Sequence, residues 1–333
     1  MLTSELNYRL PEDLIAQKPA APRDSSRLMV VDVRNGTFEH CIFRELPRFL
    51  QWGDTLVLND TKVLPARLFA RRPGEGETEL LFLRKLGTED EVWEVMARPS
   101  KRLRAGMMLS IGGDTLRVLE PLGEGRWSVA GVDVPGLLQQ HGRTPLPPYV
   151  RVTPEAEKAY QTVYARSPGS AAAPTAGLHF SREVLGEVER VGARISRVTL
   201  HVGRGTFSPV RTKRLVDHQM YAEHYCVPDE AAKTIGNAKR VVAVGTTVAR
   251  ALESWAASGS QEGESELFIR PGYRWRVVDV LLTNFHLPRS TLLAMVMAFA
   301  GKELIREAYE AAVKERYRFF SFGDAMLLVG GRA

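Results

Sequence analysis

Apolar and polar positions follow two different patterns along the chain, and the change divides it into two parts. Between residues 66 and 134, short strand-like segments recur every ~8–12 residues and are separated by glycine turns. The segments expected as strands are Arg67–Arg71, Glu79–Lys85, Val92–Ala97, Met107–Ile111, Thr115–Leu119 and Trp127–Ala130. This spacing is typical of a small barrel or sandwich. We therefore expect residues 66–149 to form an inserted, barrel-like all-β domain.

Residues 1–65 and 150–333 instead alternate buried-type strands with helical periodicity, which predicts a discontinuous α/β catalytic domain with a mixed sheet. Strands are expected at Leu28–Val33, Thr37–Ile42, Asp54–Leu58, Arg194–Val202, Lys239–Val244 and Val277–Leu282. Helices are expected at Glu155–Ala165, Arg182–Val191, Thr246–Ala257, Thr291–Ala300 and Lys302–Tyr317. Ser181 and Ser290 immediately precede two of these helices and are expected to cap them.

Short polar side chains follow three of the predicted strands of the α/β part. They form the segments Asn59-Asp60-Thr61-Lys62, Gly245-Thr246-Thr247 and Thr283-Asn284-Phe285-His286. The carboxyl edge of an α/β sheet commonly binds ligands. A Gly-Thr-Thr turn before a helix offers N–H groups to a carboxylate or phosphate, and Arg250 would add positive charge one turn later. For the segment that begins at Asn59, a plain capped turn is the alternative.

Five of the seven histidines lie between residues 179 and 286. His179 and His201 each lie in a turn of small residues, where a ligand can approach the backbone and an imidazole can transfer protons near neutral pH. Buried, hydrogen-bonded core histidines are one alternative, and a metal site is another. His218 and His224 are six residues apart, which is not helical ligand spacing. The residues alone therefore indicate an acid/base enzyme with an anionic or polar ligand.

Composition limits the class of protein. The longest apolar run, Leu292–Ala300, has nine residues, and neither a signal pattern nor a paired-cysteine motif occurs. We therefore expect a cytoplasmic protein without a membrane segment, metal or resident cofactor. The net charge of +6 permits a polyanionic partner without requiring one. Two basic segments, Arg98–Arg104 and Arg211–Arg214, could contact phosphates, although ordinary solvated loops are the alternative.

Nine stretches, in order along almost the whole chain, resemble the S-adenosylmethionine:tRNA ribosyltransferase-isomerases of queuosine biosynthesis. The stretches are YRLPEDLIAQKP from Tyr8, RDSSRL from Arg23, LNDTKVLPARL from Leu58, APTAGLHF from Ala173, HVGRGTF from His201, VGTTVAR from Val244, FIRPGY from Phe268, TNFHLPRSTL from Thr283 and YRFFSFGDAM from Tyr317. The expected β domain matches this family only in its position in the chain and in its pattern of short strands and glycine turns.

The resemblance implies that S-adenosylmethionine is a consumed ribosyl donor rather than a methyl donor. The acceptor would be the aminomethyl group of 7-aminomethyl-7-deazaguanine at the wobble position of a tRNA. A base would remove a proton from the 5′ carbon, which the sulfonium acidifies, and the ribose ring would open with loss of adenine. The exocyclic amine would then attack the carbon that bears sulfur. Methionine would leave as the epoxide of epoxyqueuosine closes.

On this resemblance we assign roles to residues of the chain. The residues expected to transfer protons are His179, His201, Glu223 and His286. Those expected to bind the substrate are Asn59, Asp60, Thr61, Thr175, Gly177, Gly203, Gly205, Thr206, Gly245, Thr246, Thr247, Arg250, Asn284 and Phe285. Those expected to bind RNA, in a groove between the domains, are Lys62, Lys101, Arg102, Arg104, Arg204, Lys213 and Arg214. The turn at Gly245 and Arg250 would suit the methionine carboxylate, and the family suggests a monomer.

The chain departs from the family pattern at Tyr221, where a second histidine is usual, and at Arg204, where a small residue is common. Two other functions are considered. One is a metal-dependent hydrolase built on His218, Glu223, His224 and His286. The other is a non-catalytic RNA-binding protein, although the chain lacks the interleaved aromatic and basic residues of single-strand modules.

Overall fold

A computed structural model describes residues 1–74, 76–87, 91–203 and 210–331 of the chain. The chain forms two compact units. The larger comprises Met1–Thr61, Pro147–Ser167 and Ala173–Ala333, and the smaller comprises Lys62–Leu146 and Pro168–Ala172. Compared with the predicted insertion 66–149, residues 62–65 belong to the smaller unit and residues 147–149 to the larger one.

Strands and helices are numbered here in chain order. The strands are β1 (Arg27–Asp32), β2 (Thr37–Ile42), β3 (Asp54–Asn59), β4 (Thr61–Val63), β5 (Arg67–Arg72), β6 (Gly76–Lys85), β7 (Val92–Arg98), β8 (Met108–Ile111), β9 (Asp114–Gly123), β10 (Arg126–Ala130), β11 (Ser167–Ser170), β12 (Arg194–Leu200), β13 (Glu223–Cys226), β14 (Arg240–Val244), β15 (Glu262–Ser265), β16 (Val280–Asn284) and β17 (Ala325–Val329). The α-helices are α1 (Val134–His141), α2 (Pro154–Ala159), α3 (Arg182–Arg190), α4 (Asp229–Gly236), α5 (Thr246–Ser258), α6 (Thr291–Ala300) and α7 (Lys302–Lys314).

The larger unit contains a nine-stranded mixed sheet in the order β15-β13-β12-β3-β14-β16-β17-β1-β2. Its four neighbouring strands β12, β3, β14 and β16 are mutually parallel. Strand β3 at their centre is buried along its whole length, as expected for a parallel strand with both faces covered. Since these four strands point the same way, their carboxyl ends meet at one edge of the sheet, and this edge positions the site.

The smaller unit contains a closed barrel of six strands in the order β10-β7-β6-β5-β8-β9, with each neighbouring pair antiparallel. Alternate side chains of its strands face inwards, so Leu68, Leu80, Val95, Leu109 and Leu116 are fully buried in one apolar core. Closure leaves no free strand edge. The predicted fold class, an α/β domain with a mixed sheet and a small barrel-like β domain, is confirmed.

The helix starts follow their capping residues, whereas some ends differ from the prediction. Ser181 Oγ accepts the N–H of Val184, and Ser290 Oγ accepts the N–H of Leu293, so both predicted caps are confirmed. The expected helix Glu155–Ala165 is wrong in its second half, because α2 ends at Ala159.

Tyrosine packing explains that early end. Tyr160 packs edge-on to Phe322 with ring centroids 5.8 Å apart, whereas Tyr164 packs against Phe180 at 6.3 Å. A continuous helix would place two tyrosines four residues apart on one face, so these separate partners favour leaving the helix. Helix α7 also ends three residues earlier than expected, at Lys314. Among the described residues, no helix combines the length and the apolar character that crossing a membrane requires.

Candidate functional site

The three polar segments predicted at strand ends and the turn that carries His201 follow four parallel neighbours of the sheet. Asn59 ends β3, His201 follows β12, Gly245 follows β14, and Asn284 ends β16. Because these strands are parallel neighbours, the four segments share the carboxyl edge of the sheet. The structure thus brings together residues that are up to 225 positions apart in the chain, from Asn59 to Asn284.

A pocket with about 620 Å³ of atom-free space opens at this edge. Its lining residues are Tyr149, Ala173, Pro174, Thr175, Ala176, Val202, Gly245, Thr246, Thr247, Thr283, Asn284, Phe285, His286, Leu287, Ser290, Leu292, Phe320 and Ser321. A neighbouring pocket of about 410 Å³ shares Thr246, Thr247 and Leu292 with it, and is also lined by Glu223 and Arg250. We call the first the edge pocket and the second the side pocket. Their mixed lining suits a small molecule with polar and apolar parts.

The first turn of α5 forms part of both pockets. Gly245 has φ +92° and positions the turn directly after β14, in a conformation that favours glycine. No side chain of the described residues caps this helix, so the N–H groups at Thr246 and Thr247 are available to an anionic ligand group. This geometry supports the interpretation of the Gly-Thr-Thr turn as an anion-binding element.

His179 is buried and held on both sides. The Asn284 amide donates to its Nε2 at 3.0 Å, and its Nδ1 lies 2.8 Å from Ser26 Oγ. The same amide group donates to the carbonyl of Phe320, and Thr175 Oγ1 donates to Asn284 Oδ1 at 3.0 Å, which together orient the amide. The proton of His179 is therefore assigned to Nδ1. Burial lowers the pKa of His179 to about 4, so it is a neutral hydrogen-bond acceptor that holds Asn284 in the edge pocket.

His286 is also buried, but it lines the edge pocket directly. Its Nε2 lies 2.8 Å from Thr283 Oγ1, and burial lowers its pKa to about 3. Its backbone is held as well: the N–H donates to Tyr309 Oη at 3.0 Å, and the carbonyl accepts from Tyr8 Oη at 2.5 Å. A neutral, rigidly held imidazole suits positioning and hydrogen bonding to a ligand.

His201 differs from these two because it is only half-buried. Its Nδ1 lies 2.8 Å from Thr61 Oγ1, and its ring stacks on His224 with centroids 6.1 Å apart. Burial and the neighbouring His224 lower the pKa of His201. The lowered pKa favours the neutral imidazole, the form that can accept a proton, and the Thr61 hydroxyl group fixes its orientation.

Glu223 forms a buried ion pair with Arg250. Glu223 Oε2 lies 2.7 Å from Arg250 Nη1, and Glu223 Oε1 accepts the N–H of Gly203 at 2.8 Å. Arg250 also donates to the carbonyls of Tyr221 and Ser265. Both side chains are thus engaged with each other and with the backbone, and Glu223 is an ionised partner in this geometry. We expected Arg250 to hold a ligand carboxylate, but its guanidinium group is already paired with Glu223.

Asn59 and Asp60 make structural contacts. The Asn59 amide donates to the carbonyl of Leu200 at 2.9 Å and to Thr247 Oγ1 at 3.2 Å, so it links β3, β12 and α5. Asp60 Oδ1 accepts the hydroxyl of Thr199 at 2.8 Å. Neither residue lines the edge pocket or the side pocket. Their contacts hold the strand ends in register, in agreement with the capped-turn alternative.

Of the other residues predicted to bind a substrate or RNA, some are packed inside the protein and others are exposed on its surface. Gly177 is required by packing, because any Cβ there would collide with Tyr164 Oη. The Phe285 ring is fully buried against Tyr309, Tyr317 and Phe319. The residues predicted to bind RNA that the structure describes are all exposed, namely Lys62, Lys101, Arg102, Arg104, Lys213 and Arg214. Arg204, Gly205 and Thr206 lie outside the described residues, and the predicted groove stays a prediction.

The four side chains of the metal-hydrolase alternative contact separate partners. His224 pairs with Glu262 at 3.1 Å, and the ring of His218 packs edge-on against Phe268 at 5.6 Å. In the described part of the chain, no group of three or more His, Cys, Asp or Glu side chains could hold a metal ion. This geometry gives no support to a hydrolytic metal centre there.

Comparison with known proteins places this geometry in a family. Residues 3–328 match the family described as queuosine biosynthesis protein. The chain belongs to this family. A relative from Rubrobacter xylanophilus, named S-adenosylmethionine:tRNA ribosyltransferase-isomerase, is 69% identical over 99% of this chain and 98% of its own. A relative of the same name from Natranaerobius thermophilus is 47% identical over 98% of this chain and 99% of its own.

A solved structure is also similar to this chain along almost its whole length. The crystal structure of S-adenosylmethionine tRNA ribosyltransferase from Thermotoga maritima is 38% identical, covers 98% of this chain and 100% of its own, and has a TM-score of 0.56. The resemblance inferred from nine short motifs is confirmed, and with it the expectation of an enzyme of queuosine biosynthesis.

Within this queuosine family member, sequence reasoning missed several residues of the edge pocket. Tyr149 packs against Phe320 with tilted rings whose centroids are 4.8 Å apart, and its hydroxyl lies 2.7 Å from Ser321 Oγ. Both Phe320 and Ser321 belong to the YRFFSFGDAM stretch, so their family motif was a signal for them. Tyr149 and Ser26 lie far from the histidines in the sequence, and only the fold reveals their contacts.

Proposed function

We propose that the chain transfers and isomerises the ribosyl group of S-adenosylmethionine onto 7-aminomethyl-7-deazaguanine at the wobble position of tRNA. The products are epoxyqueuosine-tRNA, adenine and methionine. The single observation that carries the proposal is the pocket at the carboxyl ends of β12, β3, β14 and β16, built from residues of the family motifs. The names of its relatives supply the donor, the acceptor class and the reaction type.

The two adjoining pockets support a bipartite small substrate. They share Thr246 and Thr247, whose N–H groups begin α5 and suit a carboxylate such as that of methionine. The hydroxyl groups of Thr246 and Thr247 also line both pockets and can bond the sugar or the base. In this proposal, Arg250 maintains the wall through Glu223 rather than gripping the carboxylate.

Proton transfer falls to His201 in this proposal. The reaction requires a base for the 5′ carbon proton and an acid for the departing adenine. With the proton on Nδ1 and donated to Thr61 Oγ1, the Nε2 atom of His201 is free to accept a proton. The half-buried ring can then return that proton to adenine.

Three further predicted residues take supporting roles in the proposal. His179 and His286 are neutral groups that hold the edge pocket. Glu223 is a buried counterion of Arg250. Each of them is therefore expected to affect binding geometry or stability rather than to exchange a proton in every turnover.

The test is incubation of the purified protein with S-adenosylmethionine and tRNA that carries the aminomethyl-deazaguanine base. Nucleoside mass analysis and an adenine assay measure the products. Free adenine with epoxyqueuosine is the expected result. Methylated RNA with adenosylhomocysteine would show that the donor was right and the chemistry wrong. Intact tRNA binding without any product would favour the non-catalytic RNA-binding alternative. A monomeric state and a cytoplasmic location stay predictions, the first of which is tested by light scattering.

A further inference from the structure

A third cavity lies in the larger unit, outside the site described so far, with about 930 Å³ of atom-free space. It is formed by the N-terminal segment 6–9 and by residues of α6 and α7. The lining residues are Leu6, Asn7, Tyr8, Arg9, Met297, Arg306, Tyr309, Glu310, Val313 and Lys314. We call it the N-terminal pocket. The proposed reaction chemistry does not use it.

The lining of this pocket is cationic at its exposed positions. Arg9, Arg306 and Lys314 are exposed and face a single carboxylate, Glu310. Among the described residues, the side chains of Arg9 and Lys314 have neither an ion-pair nor a hydrogen-bond partner, and the side chain of Arg306 donates only to the carbonyl of Glu5 at 3.1 Å. Unpaired cations that surround a pocket attract an anion, above all a phosphate.

The inner surface of the pocket is apolar and aromatic. Leu6 and Tyr309 are buried, and the ring of Tyr8 is half-buried and packs edge-on to Tyr309 with centroids 5.1 Å apart. A phosphate attached to a planar base presents the matching combination of charge and apolar surface. Aromatic side chains and cations of this kind recognise unstacked nucleotides in RNA.

The N-terminal segment also joins this pocket to a basic segment singled out in the sequence. Leu2 forms an antiparallel bridge with Arg214, and the N–H of Thr3 donates to the carbonyl of Lys213 at 3.0 Å. Lys213 and Arg214 are exposed. The same short segment therefore contacts the Arg211–Arg214 run at its start and carries Arg9 at its end, so two groups of exposed cations are linked along one stretch of chain.

The pocket adjoins the edge pocket through one peptide. Tyr8 Oη donates to the carbonyl of His286, and the N–H of His286 donates to Tyr309 Oη. Both tyrosines line the N-terminal pocket, while His286 lines the edge pocket. A group bound against Tyr8 would thus contact a side chain that bonds directly to the backbone of His286.

We propose that the N-terminal pocket binds a nucleotide of the RNA substrate, with its phosphate on Arg9, Arg306 and Lys314 and its base against Tyr8. The proposal rests on the proposed function, which makes a tRNA the substrate. The edge pocket then holds the reacting groups. The N-terminal pocket binds a nearby part of the same RNA.

The test reverses the two unpaired cations in the double variant Arg9→Glu/Lys314→Glu. The tRNA dissociation constant, measured by filter binding from ~50 to ~200 mM salt, is expected to rise about tenfold or more at the lower salt. The salt slope is expected to decrease by about one for each phosphate that the variant no longer neutralises. At saturating tRNA, kcat is expected to be retained, because these side chains do not line the edge pocket. Binding of S-adenosylmethionine alone is expected to be unchanged.

The matched control is Arg182→Glu/Arg194→Glu, which makes the same change of net charge at two exposed arginines on α3 and β12. The neutralised variant Arg9→Gln/Lys314→Gln covers the case in which charge reversal impairs folding, which thermal unfolding detects. Equal tRNA affinity of the N-terminal and control variants would contradict the proposal that the N-terminal pocket binds RNA. Wild-type protein that binds the tRNA but releases no adenine would instead contradict the proposed function. In that case the tRNA-binding curves of the variants would still test whether the N-terminal pocket binds RNA.

Discussion

Two groups of histidines at the sheet edge differ in burial, and we propose that this difference separates positioning from proton transfer. His179 and His286 are buried, hydrogen-bonded on their rings, and have pKa values lowered to about 4 and about 3. His201 is half-buried and bonded to Thr61. A fully desolvated imidazole resists becoming charged, whereas a half-buried one can gain and lose a proton near neutral pH.

A histidine that lies close to a pocket is therefore not necessarily the catalytic base. The inner histidines fix side chains and backbone: His179 holds Asn284, and the tyrosine contacts of His286 hold its peptide. The outer histidine, His201, has fewer fixed contacts, and the Thr61 hydroxyl fixes the orientation of its ring. We therefore propose that His201, the outer histidine, transfers protons and that His179 and His286, the inner pair, keep the pocket in shape.

The largest expected effect is on His201. The variant His201→Ala should lower kcat for adenine release by about 10²–10⁴-fold, the usual contribution of a general acid or base. Binding of tRNA should persist, since the fold around Thr61 is retained. The matched control is His224→Ala, a half-exposed neighbour paired with Glu262, for which a much smaller loss is expected. Near-normal turnover of His201→Ala would remove the proposed base.

The buried ion pair should dominate stability. Glu223→Gln leaves the Arg250 guanidinium buried without its counterion and is expected to lower the free energy of unfolding by about 3–5 kcal/mol. Urea unfolding measures this change. Glu264→Gln, at an exposed position of the neighbouring strand β15, should stay within about 0.5 kcal/mol of wild type. A Glu223 variant as stable as that control would show that the carboxylate is not needed as a counterion.

The inner histidines should make stability depend on pH. Unfolded histidine titrates near its ordinary pKa of about 6.5. As the pH falls from about 6.5 towards 4, the unfolded chain therefore binds protons that the folded chain excludes at His179 and His286, and the free energy of unfolding decreases. Each contributes on the order of 3 kcal/mol across this window.

Replacement of either inner histidine isolates that dependence. In His179→Gln and His286→Gln, the loss of stability between pH 6.5 and 4 should be smaller than in wild type, as urea unfolding at several pH values measures. The control is Gln140→Ala, which replaces an exposed side chain that does not titrate and should leave the pH dependence unchanged. An unaltered slope in both inner variants would contradict their exclusion of protons.

The smallest expected effect concerns the tautomer of His201. Thr61→Val removes the hydroxyl bonded to Nδ1 and should lower kcat by about tenfold, close to the worth of one hydrogen bond. Thr61→Ser keeps the hydroxyl and should retain most activity. The pH profile of kcat distinguishes a tautomer effect from a packing effect. If the Val and Ser variants behave alike, the hydroxyl has no such role.

The fold and the location of the site at the sheet edge could be predicted from local sequence patterns. The side-chain contacts within the site could not. Strand spacing predicted the barrel, and the positions of Ser181 and Ser290 predicted two helix starts, because these signals are local. Burial of each histidine depends on distant chain: Phe43 stacks on His179 at 5.0 Å, and Tyr309 bonds the backbone of His286. The pairing of Glu223 with Arg250, 27 residues away, was likewise invisible in the sequence.

A titration of the histidine ring resonances by NMR, with assignment by His→Gln variants, tests the separation of the two regions most directly. The account predicts that His179 and His286 stay neutral down to about pH 5, while His201 titrates at a higher pH than either but below its ordinary pKa of about 6.5. His179 or His286 charging above about pH 6, or His201 failing to titrate before the inner pair, would contradict it.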